Sequence, residues 1–205
     1  MAKYYAWGAV VAVVLLIVGM VVFTMGGNDE KYAQCTSTKA SAAIGGPFTL
    51  VDEDGKTVTD KDVIDEPSLL YFGYTFCPDV CPLDNSRNAE AIEILESQGK
   101  MVKPVFISVD PDRDTPEVLR DFTENLHPRM VGLTGSLEQV AAASKAYRTF
   151  YDKHDPEEGD EEFYLIDHST WSYLVFPGEG TVALFKRDLT PNQMAEQMSC
   201  YLDAR

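Results

Sequence analysis

Two cysteines separated by three residues are the clearest chemical signal in the sequence. Cys77 and Cys81 stand in the run CPDVCP, directly after a nearly continuous apolar stretch that is typical of a buried strand. If a helix begins here, residues four apart share one face, and the sulfurs stay close even if Cys77 remains in the preceding loop. A helix N-terminus also stabilises thiolate, the form that attacks disulfides and binds metals. The pair can therefore hold a metal ion or form a disulfide.

The spacing of Cys77 and Cys81 favours metal binding over a role as a common type of redox pair. Thiol-disulfide oxidoreductases commonly use C-x-x-C, whereas Cys77 and Cys81 are separated by three residues and followed by Pro82. Two thiolates suit a soft ion such as Cu(I), and an added imidazole gives a set of two sulfurs and one nitrogen. Tetrahedral zinc would need a fourth ligand. C-x-x-x-C alone is a weak signal, so a structural disulfide between these cysteines stays open at this point.

Three histidines compete to be the third ligand. His127 follows a predicted helix, where the helix dipole would stabilise a charged imidazole, so a role as ligand is not needed to explain it. His154 stands in an acidic segment and is expected to be exposed to solvent. His168 precedes a late apolar strand and is expected in a loop at a sheet end. Its neighbour Asp167 is either an acceptor that orients the His168 ring or simply a polar loop residue. His168 is therefore the candidate third ligand.

The elements that must position these residues alternate between strands and helices. Residues 68–74 and 103–109 are apolar runs of the kind found in strands buried on both faces. Between them, apolar residues recur at spacing three and end at Gly99, which predicts a helix and its stop. Strand, helix and strand in this order indicate a parallel βαβ unit.

The rest of the domain continues the alternation. The other predicted elements are a hairpin of residues 48–51 and 56–59, a helix capped by Thr115, a helix capped by Ser136, a hairpin of residues 171–176 and 181–186, and a helix beginning at Pro191. A βαβ unit followed by a ββα unit is the thioredoxin arrangement. We therefore predict an α/β, thioredoxin-like fold with a central mixed sheet and flanking helices, preceded by the early hairpin.

This fold has consequences for two loops. The loop before the late hairpin faces the cysteine-bearing turn in a thioredoxin fold, so His168 is within reach of the pair. Residues 152–162 contain no apolar side chain and are predicted to form a solvated surface loop.

A long apolar run precedes the domain. Residues 4–25 are 22 residues without a charge, enough to cross the ~30 Å hydrocarbon core of a bilayer. The run exceeds the roughly 7–15 apolar residues of a signal peptide, and no clean cleavage triplet follows, so an uncleaved anchor is favoured. Lys3 before the run and Asp29 and Glu30 after it place the N-terminus in the cytoplasm.

These features predict the layout of the chain. Residues 1–3 are cytoplasmic, 4–25 form a transmembrane anchor, 26–41 form a tether, and 42–205 form the domain in an oxidising space. The N-terminus does not resemble an Arg-rich mitochondrial presequence, which favours a single-pass protein of a bacterial inner membrane with its C-terminal domain in the periplasm.

Composition excludes several classes of partner. The 205 residues carry 33 acidic and 17 basic side chains, a net charge of -16. Such a surface repels nucleic acid phosphates and anionic headgroups, so we expect no nucleic acid partner and membrane contact only through the N-terminal helix. The 45% hydrophobic content excludes disorder over most of the length.

Three motifs, in order, resemble the Sco/SenC family. They are YFGYTFCPDVCP at 71–82, SVDPDRDTP at 108–116 and DHS at 167–169, and the similarity extends over roughly residues 44–203. The resemblance implies a membrane-anchored, thioredoxin-like copper chaperone that helps to assemble the dinuclear copper site of cytochrome c oxidase subunit II. By position, it implies that Cys77, Cys81 and His168 bind Cu(I) or Cu(II).

The resemblance carries further implications. The protein is then not an enzyme in the turnover sense, although family members also act as thiol reductants toward the oxidase subunit's cysteines. An upstream periplasmic copper donor is a further expected partner. The 110–116 segment matches the signature but carries no ligand, which implies loop and helix-cap structure.

The alternative function is that of a membrane-anchored thiol-disulfide oxidoreductase with Cys77 and Cys81 as its redox pair. A peroxidase is disfavoured because Leu70 and Thr75 do not match the peroxiredoxin pattern.

The resemblance also bears on the other two cysteines. If Cys77 and Cys81 must remain a reducible pair, as the family implies, Cys35 and Cys200 are left to pair with each other. Their disulfide would tie the tether to the C-terminal helix. Closing a loop of 165 residues would stabilise the fold by about 5 kcal/mol at most.

Overall fold

The computed structural model describes residues 14–16, 31–35, 38–39, 44–156 and 163–205. Most of the predicted anchor and tether, and residues 157–162 of the predicted acidic loop, lie outside these ranges. Among the described residues, no helix combines the length and apolar character needed to cross a membrane. The chain divides into two compact units, one of Thr36–Ser199 and one that joins the segment ending at Cys35 to Cys200–Arg205.

A mixed sheet of eight strands forms the centre of the larger unit. In spatial order the strands are β1 (Thr38–Lys39), β10 (Gly180–Phe185), β9 (Ser172–Phe176), β4 (Ser68–Gly73), β5 (Lys103–Ser108), β6 (Val131–Thr134), β2 (Thr49–Asp52) and β3 (Thr57–Thr59). β4, β5 and β6 run parallel, and the other neighbouring pairs are antiparallel. The predicted mixed sheet is confirmed, and both predicted hairpins are present.

Five helices accompany the sheet. They are α1 (Asp60–Val63), α2 (Val80–Ser97), α3 (Pro116–Glu124), α4 (Leu137–Ala146) and α5 (Pro191–Asp203). The Thr115 side chain accepts a hydrogen bond from the Val118 amide, and Ser136 does the same for Gln139, so both helices begin where their capping residues predict. α1, β1 and β6 were not predicted because runs of two to four residues carry no usable periodicity.

The β4–α2–β5 unit positions the cysteines. All six residues of β4 are buried, since the strand lies between β5 and β9 inside the sheet. Aromatic rings pack around it; the Phe72 ring centroid lies 5.5 Å from that of Tyr147 and 5.8 Å from that of Tyr173. This rigid core holds the C-terminal end of β4, and hence the loop that follows, in one place.

A second, two-stranded sheet carries His168 and corrects two predictions. β7 (Tyr151–Lys153) pairs antiparallel with β8 (Ile166–His168), and Tyr151 faces His168 in the register. The prediction of a loop was therefore wrong for His168 and for residues 152–153. The reason is that β7 forms by pairing with β8, which lies outside the acidic segment. Along β8, Ile166 is buried, Asp167 exposed and His168 half-buried, an alternation typical of a strand.

The smaller unit contains the Cys35–Cys200 disulfide. The two Cα atoms are 5.7 Å apart, within the usual range for such a bond. Beside it, the rings of Tyr32 and Tyr201 pack with their centroids 5.0 Å apart. The structure thus joins the segment before the larger unit to the end of α5 by a covalent bond and an aromatic contact.

Candidate metal centre

The two cysteines of the C-x-x-x-C motif lie at the junction of a loop and a helix. Cys77 stands in the loop after β4, and Cys81 stands in the first turn of α2. The Cys81 amide donates a hydrogen bond to Cys77 Sγ over 3.4 Å. Both side chains are buried, and both are free thiols. The predicted closeness of the two sulfurs is confirmed.

His168 completes a group of three donors. Its Nε2 atom lies 3.1 Å from Cys81 Sγ, and the two sulfurs and the ring nitrogen all lie within 4.8 Å of one another. The Nδ1 atom lies 3.0 Å from the carbonyl oxygen of Ser169. Because a carbonyl only accepts, Nδ1 carries the hydrogen of the neutral ring and Nε2 keeps its lone pair, directed at the sulfurs.

Two tyrosines from β4 and the residue after it fix the orientation of the imidazole. The rings of Tyr71 and Tyr74 meet the His168 ring edge to face, with centroids 6.1 Å and 5.8 Å away. Burial raises the pKa of Tyr71 well above its usual value and raises the pKa of Tyr74 to about 12. Both therefore remain neutral phenols at pH 7 and act as packing groups rather than ligands. Sequence reasoning missed them, since their contact with His168 is long-range.

The two cysteines differ in protonation state. A hydrogen bond from the Cys81 thiol holds the pKa of Cys77 well below its usual value against the opposing effect of burial, and hydrogen bonds from the backbone at Asp79 and Cys81 add to this. The same bond to Cys77, with burial, raises the pKa of Cys81. At neutral pH the pair therefore holds one negative charge on Cys77 and one proton on Cys81.

Gly73, the last residue of β4, provides the space for one sulfur. A Cβ atom at this position would lie 2.8 Å from Cys81 Sγ, 3.0 Å from the Tyr71 ring and 3.2 Å from the Phe106 ring. Carbon and sulfur do not approach so closely, so a side chain here would displace the Cys81 sulfur. Gly73 is a third residue of the site, after Tyr71 and Tyr74, that sequence reasoning did not single out for this role.

The 110–116 segment does more than the predicted loop and cap. The buried carboxylate of Asp114 accepts hydrogen bonds from the Thr75 amide over 3.1 Å, from Thr75 Oγ1 over 2.5 Å and from Ser108 Oγ over 2.5 Å. Burial raises the pKa of Asp114, and these bonds partly oppose the rise. Asp114 thus ties the loop that carries Cys77 to the end of β5.

Asp167 does not orient His168. Its Oδ2 atom lies 2.9 Å from His154 Nε2 instead, because adjacent residues of a strand project to opposite sides. Because Asp167 accepts this hydrogen bond, it raises the pKa of His154, which is exposed as predicted. The orienting acceptor for His168 is the backbone carbonyl described above.

His127 also lies outside the site, for a different reason from the one predicted. α3 ends three residues earlier, and the His127 side chain is buried. Its Nδ1 accepts a hydrogen bond from the Arg129 amide over 3.1 Å, and its Nε2 lies 3.6 Å from a Glu96 carboxylate oxygen. Local packing and hydrogen bonding, rather than a helix dipole at the surface, account for this histidine.

The fold and the site together define a class of thioredoxin-like proteins in which a cysteine pair and a distant histidine form one soft donor group. Within that class, the chain belongs to the SCO1/SenC family, whose pattern matches residues 36–203.

Individual relatives agree with this assignment. The chain is 50% identical to protein SenC of Rhodobacter capsulatus over 206 residues, covering 99% of this chain and 92% of SenC. It is similar to the crystal structure of Arabidopsis thaliana ScoI with copper bound, with a TM-score of 0.74, 39% identity, and coverage of 80% of this chain and 100% of that one. It is also similar to the structure of Bradyrhizobium japonicum ScoI with copper bound. The TM-score is 0.69 and the identity 37%, and the match covers 78% of this chain and 100% of that one.

Proposed function

We propose that this chain is a copper metallochaperone that binds one copper ion through Cys77 Sγ, Cys81 Sγ and His168 Nε2. The observation that carries the proposal is the convergence of these three atoms within 4.8 Å of one another. Two sulfurs and an imidazole are soft and borderline donors that suit copper, and three of them suit its low coordination numbers. The copper-bound structures of similar proteins support the choice of metal.

The residues of the site favour both loading and release. Cys77 supplies an anionic sulfur, and loading displaces the proton of Cys81. The bond from His168 Nδ1 to the Ser169 carbonyl keeps Nε2 free of a proton. His168 is half-buried while both cysteines are buried, so ligand exchange with an acceptor begins at the imidazole.

The acceptor in this proposal is the dinuclear copper site of cytochrome c oxidase subunit II. Membership of the SCO1/SenC family and the motifs at 71–82, 108–116 and 167–169 support it. The donor is an upstream periplasmic copper protein. The uncharged run of residues 4–25 supports a single-pass anchor in a bacterial inner membrane, with the metal site on the periplasmic side.

A second function, reduction of the acceptor's thiols, is favoured by one specific observation. Cys77 and Cys81 are neighbouring free thiols, and Cys77 has a lowered pKa. In this reaction the Cys77 thiolate attacks a disulfide of subunit II and releases one of its two cysteines as a thiolate. Cys81 then attacks Cys77 Sγ in the resulting mixed disulfide and displaces the second cysteine of subunit II, so that the pair ends as a Cys77–Cys81 disulfide. Two electrons pass to the acceptor, together with the proton of Cys81 and one proton from solvent, which leaves the acceptor's cysteines reduced and ready for copper.

Anaerobic Cu(I) titration of the full chain tests the first function. With a competing chelator, we expect one tightly bound Cu(I) per wild-type chain and loss of that binding in Cys77→Ser and Cys81→Ser. Stoichiometric binding that survived both substitutions would contradict the proposal.

Reduction of an oxidised subunit II fragment tests the second function separately. The His168→Ala variant keeps both thiols, so we expect it to retain reduction of the fragment while its copper affinity falls. If the wild-type dithiol left the fragment's disulfide intact, the reductase role would be rejected and the copper proposal would stand.

A further inference from the structure

Residues 110–114 provide no metal donor, yet they contact both segments that do. One of these segments is the loop after β4, which carries Cys77, and the other is the chain that enters β8, which carries His168. Asp114 binds the first segment at Thr75. Arg113 and Asp110 contact the second segment at Tyr164, four residues before His168.

Arg113 lies against aromatic rings from both segments. Its guanidinium carbon is 3.5 Å from the centroid of the Tyr164 ring, 4.9 Å from that of Phe76 and 5.7 Å from that of Tyr74. Phe76 directly precedes Cys77, so one cation joins a neighbour of the cysteine to the segment that leads to the histidine. Cations placed over ring faces in this way are attracted to them.

Asp110 holds the cation in place. Arg113 Nε donates to Asp110 Oδ2 over 2.5 Å, and the Tyr164 hydroxyl donates to Asp110 Oδ1 over 2.6 Å. Asp110 is 2% exposed and the Arg113 side chain 15% exposed, so the pair is largely removed from water. Burying charges is costly where apolar packing would serve, which indicates a requirement for geometry rather than for stability alone. The planar guanidinium donates to the Asp110 carboxylate while its face lies against the Tyr164 ring, a stacking geometry that the compact ammonium of a lysine does not reproduce.

We propose that Arg113 is a positioning residue that sets the separation between the cysteine loop and β8, and thereby keeps His168 within reach of the cysteine-bound metal. The inference rests on the proposed copper function. A direct contact between the two segments lies beside this bridge, because the Ile166 amide donates to the Tyr74 hydroxyl over 3.3 Å. Without Arg113, the contact of its guanidinium with Phe76 and Tyr74 is lost. What remains at this end is the bond from Ile166 to Tyr74, the bond from Tyr164 to Asp110, the contacts of Lys153 with Asp112 and Tyr164, and the pairing of β8 with β7. The imidazole then departs from the sulfurs more easily.

Copper binding by Arg113 variants of the full chain tests the proposal. Arg113→Lys keeps the positive charge, and it serves as the folded variant if Arg113→Ala does not fold. Arg120→Ala is the matched control, because Arg120 forms an exposed ion pair with Asp54. We expect Cu(I) affinity to fall about 10- to 100-fold in Arg113→Lys, as for other residues that orient ligands, and to be unchanged in Arg120→Ala. We also expect the nitrogen coupling in the Cu(II) electron paramagnetic resonance spectrum to weaken. Unchanged affinity and coupling in Arg113→Lys would overturn the proposal.

A double-substitution cycle separates positioning from general stability. If Arg113 acts through the imidazole, Arg113→Lys causes no further loss of copper affinity in a His168→Ala background. An equal loss in both backgrounds would show that Arg113 acts on something other than His168, and would overturn the proposal.

A readout without copper separates this proposal from the proposed function. In the metal-free protein we expect the Ile166 amide to exchange its hydrogen at least about tenfold faster in Arg113→Lys than in wild type or Arg120→Ala, because local opening becomes easier. If the wild type bound no copper but this difference appeared, the copper function would fail while the positioning role held. Equal exchange in all three proteins would reject the positioning role, whatever copper does.

Discussion

Cys81 Sγ and His168 Nε2 lie 3.1 Å apart although 87 residues separate them in the sequence. The contact joins the first turn of α2 to the last residue of β8. It exists because β4 delivers the cysteine loop to one end of the main sheet and the short β7–β8 sheet delivers the imidazole to the same end. The ring nitrogen is therefore placed for a metal by tertiary structure alone.

We expect removal of His168, and not of His154, which directly follows β7, to weaken copper binding. His168→Ala removes the only nitrogen donor of the three-atom group, so we expect Cu(I) affinity to fall by at least about tenfold. His154→Ala is the matched control, because His154 is exposed and pairs with Asp167. Competition titration measures both. Equal affinities for the two variants would indicate that the imidazole of His168 is not a ligand.

We expect a methyl group at position 73 to distort the metal site. Gly73→Ala places a carbon 2.8 Å from Cys81 Sγ, so we expect a loss of about 1–3 kcal/mol in the free energy of unfolding and weaker copper binding. Gly46→Ala is the control, since its new carbon would lie 3.5 Å from its nearest neighbour, an ordinary contact. Chemical denaturation and copper titration report the two effects. A Gly73→Ala protein as stable and as tight-binding as Gly46→Ala would show that the sulfur does not need this space.

The Cys35–Cys200 disulfide contributes stability without contributing to the metal group. Replacing both cysteines by serine is expected to lower the free energy of unfolding by about 2–4 kcal/mol, because the unfolded chain loses a long closed loop. Copper stoichiometry should stay at one per chain, since neither residue offers a donor.

The complementary variant provides the control for this prediction. Cys77→Ser combined with Cys81→Ser retains the disulfide, so a strong reductant should destabilise that variant and leave the Cys35→Ser, Cys200→Ser protein unaffected. If the reductant destabilised the Cys35→Ser, Cys200→Ser protein and not the Cys77→Ser, Cys81→Ser protein, the Cys35–Cys200 disulfide would not be the stabilising bond.

The protonation of His154 depends on pH through Asp167. The hydrogen bond that His154 donates to the Asp167 carboxylate raises the pKa of His154 above its ordinary value of 6.5, so the folded protein favours the charged ring. The interaction is complete below pH 6.5 and is lost as pH rises through the raised value. NMR titration of the metal-free protein should show this pKa returning toward 6.5 in Asp167→Asn, and changing less in Asp152→Asn. A His154 pKa unaffected by Asp167→Asn would mean that the pair does not form in solution.

Much of the scaffold follows from local sequence signals. The apolar run of β4, the caps at Thr115 and Ser136, and the order of strands and helices predict the main sheet, because each signal lies within a few residues. The closeness of Cys77 and Cys81 follows in the same way from one helical turn.

What sequence could not supply is the environment of the imidazole. β7 and β8 are three residues long, too short for a periodic pattern, and the residues between them are mostly acidic or polar. The bond between Thr75 and Asp114 crosses 39 residues, and that between Tyr164 and Asp110 crosses 54. Such contacts arise from tertiary packing, which is why the sequence could not decide between the two roles considered for Asp167 and gave the wrong reason for His127.

X-ray absorption spectroscopy of the copper-loaded, reduced full chain tests the central claim most directly. The structure predicts a first shell of two sulfurs and one nitrogen at copper in the wild type, and of sulfurs without the histidine nitrogen in His168→Ala. A first shell made only of nitrogen and oxygen, or one identical in the two proteins, would contradict it.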